Sequence, residues 1–197
     1  KDELFTIAAE HVSIEGLHLV NSGRSSLNDL AGIKCLDANY IKIRNNKFDN
    51  TFFGIHLSNT NFAVIENNHL QAHGINEYEL GNGIHLWKCN HANIVNNTIS
   101  GHRDGIYFEF VTKSFIRKNV SDNNRRYGLH FMFSHDNSYE DNIFRNNGAG
   151  VAVMYTRHVR MIRNTFDRNW GSSSYGLLLK DISDSEVLQN KFIGNTS

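Results

Sequence analysis

Seven times along the chain a glycine opens a Gly–apolar–any–apolar run, and fourteen residues after each of these glycines stands an asparagine. The glycines are Gly32, Gly54, Gly83, Gly105, Gly128, Gly150 and Gly176. The asparagines are Asn46, Asn68, Asn97, Asn119, Asn142, Asn164 and Asn190. All variation in length falls between an Asn and the next Gly, giving repeats of 22, 29, 22, 23, 22 and 26 residues. Three residues before each Asn is an apolar side chain, and two after it another, with Ser121 the single polar exception. Alternation over four or five residues signals short strands, and no stripe at helical spacing is long enough for a helix. A unit of ~22 residues with two or three short strands cannot bury its apolar face alone, but stacked copies can. The Leu-x-x-Leu-x-Leu spacing of a leucine-rich repeat is absent. The sequence therefore predicts an all-β fold: a single right-handed parallel β-helix over residues 1–197, with about eight coils of roughly 22 residues. The stretch around Ile14, Gly16, Leu17 and Leu19 reads as an earlier, degenerate coil.

Two compositional extremes fit this architecture. There are twenty-seven asparagines and no proline among 197 residues. One inward Asn per coil can bond to its neighbours above and below as a ladder, and Asn tolerates the left-handed backbone that a corner needs. Proline would remove a ladder hydrogen bond from strands that are nearly all central. A net charge of zero gives no support for nucleic-acid binding by bulk electrostatics. No apolar run approaches the ~18 residues of a transmembrane helix, so any membrane contact is expected through partners. Cys35 falls in an inward row and Cys89 in a turn two coils away, roughly 9–10 Å along the axis, too far for a disulfide.

The second and fourth positions after each glycine face outward. The first of these rows reads Lys34, His56, His85, Tyr107, His130, Ala152, Leu178, and the second Leu36, Ser58, Trp87, Glu109, Met132, Met154, Lys180. Strand faces in water are mostly Thr, Lys, Ser and Glu; here the middle carries His, Tyr, Trp and Met. Row neighbours are ~4.8 Å apart and alternate residues of one strand ~6.6 Å apart. His130, Met132 and Met154 therefore form a triangle that can converge on an ion. Imidazole and thioether donors select copper, above all Cu(I), over calcium or magnesium. The same methionines also suit an adaptable protein interface, and both readings stay open. Insertions at His69–Asn82 and Thr165–Tyr175 enter just before Gly strands and can wall these rows, bringing Tyr78 and Trp170 as exposed aromatics. His69 and His73 read as solvated. For carbohydrate chemistry Glu109 is the single carboxylate in the two rows, while Asp104 and Asp136 lie near turns, where Asp usually serves the backbone. No catalytic residue is assigned, and a non-enzymatic binding protein is expected.

Three strings resemble the NosD family: Arg103-Asp-Gly-Ile-Tyr-Phe-Glu-Phe110, Arg126-Tyr-Gly-Leu-His-Phe-Met-Phe-Ser-His-Asp-Asn137 and Tyr175-Gly-Leu-Leu-Leu-Lys-Asp181. The first two carry Tyr107, Glu109, His130 and Met132, so the resemblance falls on the same face. It implies a periplasmic β-helical protein that handles copper transiently. Such a protein would take the ion from a copper chaperone lipoprotein and act with an ABC-type ATPase and permease in supplying nitrous oxide reductase. The resemblance implies no ligand set. The chain starts and stops within repeats and reads as part of a longer β-helical protein. The alternative is a polysaccharide-binding or -modifying β-helix with Trp87, Tyr107 and Glu109 as a sugar platform.

Overall fold

The computed structural model describes residues 2–25, 27–171 and 175–196. Its short strands stack into three parallel sheets of eight strands each, and successive strands in a sheet come from successive coils. The result is a right-handed parallel β-helix, as the repeat predicts. The first sheet holds the Gly strands, including Ala31–Leu36, Phe53–Ser58, Ile84–Trp87, Asp104–Glu109, Tyr127–Met132, Ala149–Arg157 and Leu177–Ser183. The second sheet carries the apolar position before the Asn and the third the one after it, mostly on three-residue strands. The degenerate first coil is present in full, as Phe5–Ile7, Ser13–Glu15 and His18–Val20. The long insertion adds one 3₁₀ turn at Glu77–Glu79.

Register follows the Gly phase without slippage. Cys35, Leu57, Leu86, Phe108, Phe131, Val153 and Leu179 pair in sequence along one inward row. With Ile43, Ile65, Ile94, Phe48, Leu70 and Ile99 from the other sheets, the first six build a continuous buried core, while Leu179 in the last coil is exposed. Cys35 belongs to that core and Cys89 is also buried; both thiols are free. The Cys89 thiol points at the Leu57 and Trp87 carbonyls, with Sγ 3.6 and 3.3 Å away. The glycines are demanded by close approach between coils: a Cβ at Gly128 would lie 2.7 Å from the Gly150 carbonyl oxygen.

The Asn ladder is continuous. Each Nδ2 from Asn46 to Asn164 donates to the Oδ1 of the next ladder residue at 3.0–3.1 Å. The corner is divided differently from the sequence expectation. The left-handed residue is the one before each ladder Asn, with φ of 53–56° at Asn45, Asn67, Asn96, Lys118, Asp141, Arg163 and Gln189. Ladder residues keep ordinary φ because their side chains must point inward. A second ladder, five residues further on, joins Asn124, Asn147, Asn169 and Asn195 through Nδ2–Oδ1 bonds of 2.9, 3.1 and 2.8 Å. It also explains Ser121, whose hydroxyl accepts from Asn124 Nδ2 and donates to the Gly128 carbonyl. A polar group inside the core is tolerated because both its bonds are made.

Candidate functional site

The outward rows of the first sheet have the predicted order: Lys34, His56, His85, Tyr107, His130, Ala152 and Leu178 pair in turn. Leu36, Ser58, Trp87, Glu109, Met132, Met154 and Lys180 form the parallel row beside them. Met132 and Met154 are thus direct cross-strand neighbours, with His130 two residues before Met132 on the same strand.

The first row is far less exposed than an outward row on an open strand face. His56 and His130 are 6% and 7% exposed and Ala152 is fully buried. The cause is the residue before each glycine. Phe53 and Tyr127 fold over the row: the Phe53 ring lies 5.7 Å from His56 and 5.5 Å from His85, and the Tyr127 ring 4.7 Å from His130. The long insertion is bonded in behind them. Gly81 donates its N–H to the Phe52 carbonyl, and Arg103 donates its own to the Gly81 carbonyl. Beside this shielded row is a shallow cavity of about 350 Å³ lined by Asp29, Leu36, His56, Ser58, His85, Trp87 and Glu109. It unites four of the predicted face residues, while Tyr107, His130, Met132 and Met154 continue the rows beyond it. Tyr78, 81% exposed, stands on the insertion's 3₁₀ turn. Trp170 is exposed at the second ladder's corner and donates Nε1 to the Gly194 carbonyl at 2.6 Å. His73 is exposed and paired with Asp49 at 3.0 Å, and His69 is exposed on its strand.

Burial sets the protonation of this face. Loss of solvent, reinforced by His56, pushes the His85 imidazole down to about 3. The His56 imidazole is lowered by the same cause, with Asp29 partly opposing it. Both rings are neutral at neutral pH. Burial and then Glu109 push the Tyr107 phenol up to about 12. On this face several ring nitrogens are buried without a hydrogen-bond partner in the protein: Nδ1 of His56 and both nitrogens of His85 and of His130. Such groups in a native fold call for an explanation. Neutral imidazoles with free lone pairs are competent soft-metal donors.

Asp104 corrects the sequence reading. Rather than serving a turn, it is fully buried on the first sheet in the row before the glycines. Arg126 grips it with two bonds, Nε to Oδ1 at 2.8 Å and Nη2 to Oδ2 at 2.6 Å, and the Tyr127 N–H adds a third at 3.3 Å. His130 Nδ1 lies 3.5 Å from Oδ2. Burial would raise the Asp104 carboxyl, but Arg126 and His130 outweigh it and hold the group below its ordinary range. The signal for this lies in the position itself: in five coils the residue before the Gly is already on the strand, as Ala31, Phe53, Asp104, Tyr127 and Ala149 are, and not in the turn. Among the described residues no three His, Cys, Asp or Glu side chains are grouped to hold a metal ion. Met132 and Met154 are the thioether pair on this face.

Solved structures share the fold. The Azotobacter vinelandii mannuronan C-5 epimerase AlgE6 A-module superposes with a TM-score of 0.68 at 14% identity, covering 84% of this chain and 56% of that one. For the periplasmic alginate epimerase AlgG the values are 0.63, 11%, 83% and 47%. For the enzymatically active domain of bacteriophage CBA120 tailspike protein 2 they are 0.61, 11%, 97% and 35%. The chain spans about half the length of the two epimerase chains, and identities this low establish a common architecture alone. Among curated proteins none matches the sequence. No helix among the described residues is long and apolar enough to cross a membrane. Residues 73–197, well over half the chain and including all three family-like strings, match the family described as periplasmic copper-binding protein (NosD). The chain belongs to the NosD family of periplasmic copper-binding proteins.

Proposed function

We propose that this protein handles copper as transient cargo in the periplasm, on the outward face of the first sheet, with His130, Met132 and Met154 as the donors. The observation that carries this reading is the direct pairing of Met132 with Met154 beside a buried His130 whose Nε2 has no protein partner. Thioether and neutral imidazole suit Cu(I), which accepts few ligands and exchanges them readily. Three weak donors at the edge of a groove favour release to a partner over permanent storage. His56, His85, Trp87, Tyr107 and Glu109 extend the face for docking, and Tyr78 and Trp170 project beyond it as exposed aromatics. The partners in this reading are a copper chaperone lipoprotein that gives the ion, an ABC-type ATPase and permease, and nitrous oxide reductase as the recipient. No catalytic step is required of the chain. The test is Cu(I) titration against a competing chelator: Met132→Ala/Met154→Ala loses one equivalent of bound ion. Unchanged stoichiometry and affinity in that variant would remove this site.

A second reading rests on the 350 Å³ cavity with Trp87 and Glu109 on its wall. An aromatic wall and a carboxylate suit a sugar ring, and the similar solved structures include a mannuronan C-5 epimerase and an alginate epimerase. In this reading the chain binds or modifies a polysaccharide. A glycan array without a binder counts against it, whereas a binder lost in Trp87→Ala supports it.

A further inference from the structure

The three-way contact of Asp104, Arg126 and His130 has no part in the ladder, the core or the cavity. Asp104 is fully buried and its side chain is 0% exposed; the His130 side chain is 9% exposed. A carboxylate so placed must be paired and hydrogen-bonded to be tolerated. Arg126 meets that need with both its bonds. It also holds the carboxylate in one orientation, with Oδ2 3.5 Å from His130 Nδ1. The imidazole is confined in turn. The Tyr107 ring stands against it at 4.9 Å and 60°, and Tyr127 at 4.7 Å and 46°. Its register partner in the next coil is the small Ala152. Neither ring nitrogen makes a hydrogen bond to the protein, but the two differ in surroundings: Nδ1 faces the fixed anion at 3.5 Å, while Nε2 is buried with no charged group against it.

We infer that Asp104, clamped by Arg126, is a positioning residue that fixes His130 in the Nδ1–H tautomer and leaves the Nε2 lone pair free as a ligand. An N–H at Nδ1 meets the carboxylate, whereas a lone pair there would face its negative charge. The difference selects one tautomer before any ligand arrives. A ring held this way is oriented toward an ion at its far nitrogen, and outer-shell carboxylates of this kind are worth roughly 10–100-fold in metal affinity. The ligand role of Nε2 rests on the copper reading above; the tautomer does not.

The experiment separates the two. Long-range ¹H–¹⁵N spectra of the metal-free protein report which imidazole nitrogen carries the proton. The expected result is Nδ1–H with an unprotonated Nε2 at His130. In Asp104→Asn the amide can donate to Nδ1, so the ring moves to Nε2–H and Cu(I) affinity falls by roughly 10–100-fold. Met132→Ala/Met154→Ala should lose copper with the His130 tautomer unchanged. Wild-type protein showing Nε2–H overturns the inference, and this measurement holds whether or not Asp104→Asn folds. A folded Asp104→Asn protein with the wild-type tautomer also overturns it. The expected tautomer in a protein that binds no Cu(I) supports the positioning by Asp104 and refutes the copper reading instead.

Discussion

Asn119→Ala tests the ladder at its centre. The Asn119 side chain is almost fully buried and makes five bonds. Its Oδ1 accepts the Asn97 backbone N–H at 2.9 Å and Asn97 Nδ2 at 3.0 Å. Its Nδ2 donates to Asn142 Oδ1 at 3.0 Å, to the Ile94 carbonyl at 2.9 Å and to the Arg117 carbonyl at 3.1 Å. The losses are unequal. Asn97 Nδ2 keeps the Ile65 carbonyl, and Asn142 Oδ1 keeps the Asn119 backbone N–H. The Asn97 backbone N–H keeps nothing and is left buried, a cost of about 1–3 kcal/mol. The remaining bonds add about 0.5–1 kcal/mol each, less than their count suggests because their partners are shared. The sum is a destabilisation of about 3–5 kcal/mol. Asn190→Ala, at the partly buried end of the ladder, removes the Asn164 and Met161 contacts where water can replace them. Its cost should be about 1–2 kcal/mol. Urea unfolding followed by circular dichroism measures both, with the slope of the transition checked because stacked repeats can lose cooperativity. A loss below about 1 kcal/mol for Asn119→Ala, or equal losses at the two positions, would refute the claim that buried ladder bonds hold the coils in register.

Two further predictions concern buried groups away from the groove. Burial pushes the His102 imidazole down to about 4, and both its ring nitrogens lack a protein partner beneath the long insertion. In the unfolded chain the ring titrates near 6.5, so between about pH 6.5 and 4 the unfolded state binds the extra proton and stability falls as pH falls. The loss should reach about 3 kcal/mol by about pH 4; urea midpoints across this window should flatten in His102→Gln, and an identical pH slope in that variant sinks the assignment. Burial also pushes the Cys35 and Cys89 thiols up to about 12 and about 11. Neither should react with a thiol reagent at about pH 8 until the protein unfolds, and rapid labelling of native protein would contradict their placement.

Much of the fold is legible in one interval because a β-helix converts sequence phase directly into space. Every coil rises by one strand spacing, so residues at the same offset from Gly must stack. That is why Met132 is expected beside Met154, and why Cys35 is expected in the core and apart from Cys89. The second ladder is equally open to this reading, since Asn124, Asn147, Asn169 and Asn195 each follow a ladder Asn by five residues. It is hidden by the earlier coils, which do not carry it: the same offset holds Thr51, His73 and His102 there. Asp104 escapes the sequence reading for a different reason. Local propensity puts Asp in turns, but here the strand begins one residue before the glycine, and two partners from the next coil, Arg126 and His130, make burial tolerable.

The sequence by itself determined the architecture, the register and the membership of each row, because these depend on spacing and on which side chains are apolar. Tertiary structure alone decided how deep those rows lie. Phe53 and Tyr127, each the residue before a glycine, close over the histidines, and Asp104 at the same position comes within reach of His130. Spacing specifies which residues are neighbours along an axis; it carries no information about which side chains fold over a row and cover it. That covering turns a row of histidines on a sheet into buried imidazoles beside a pair of methionines.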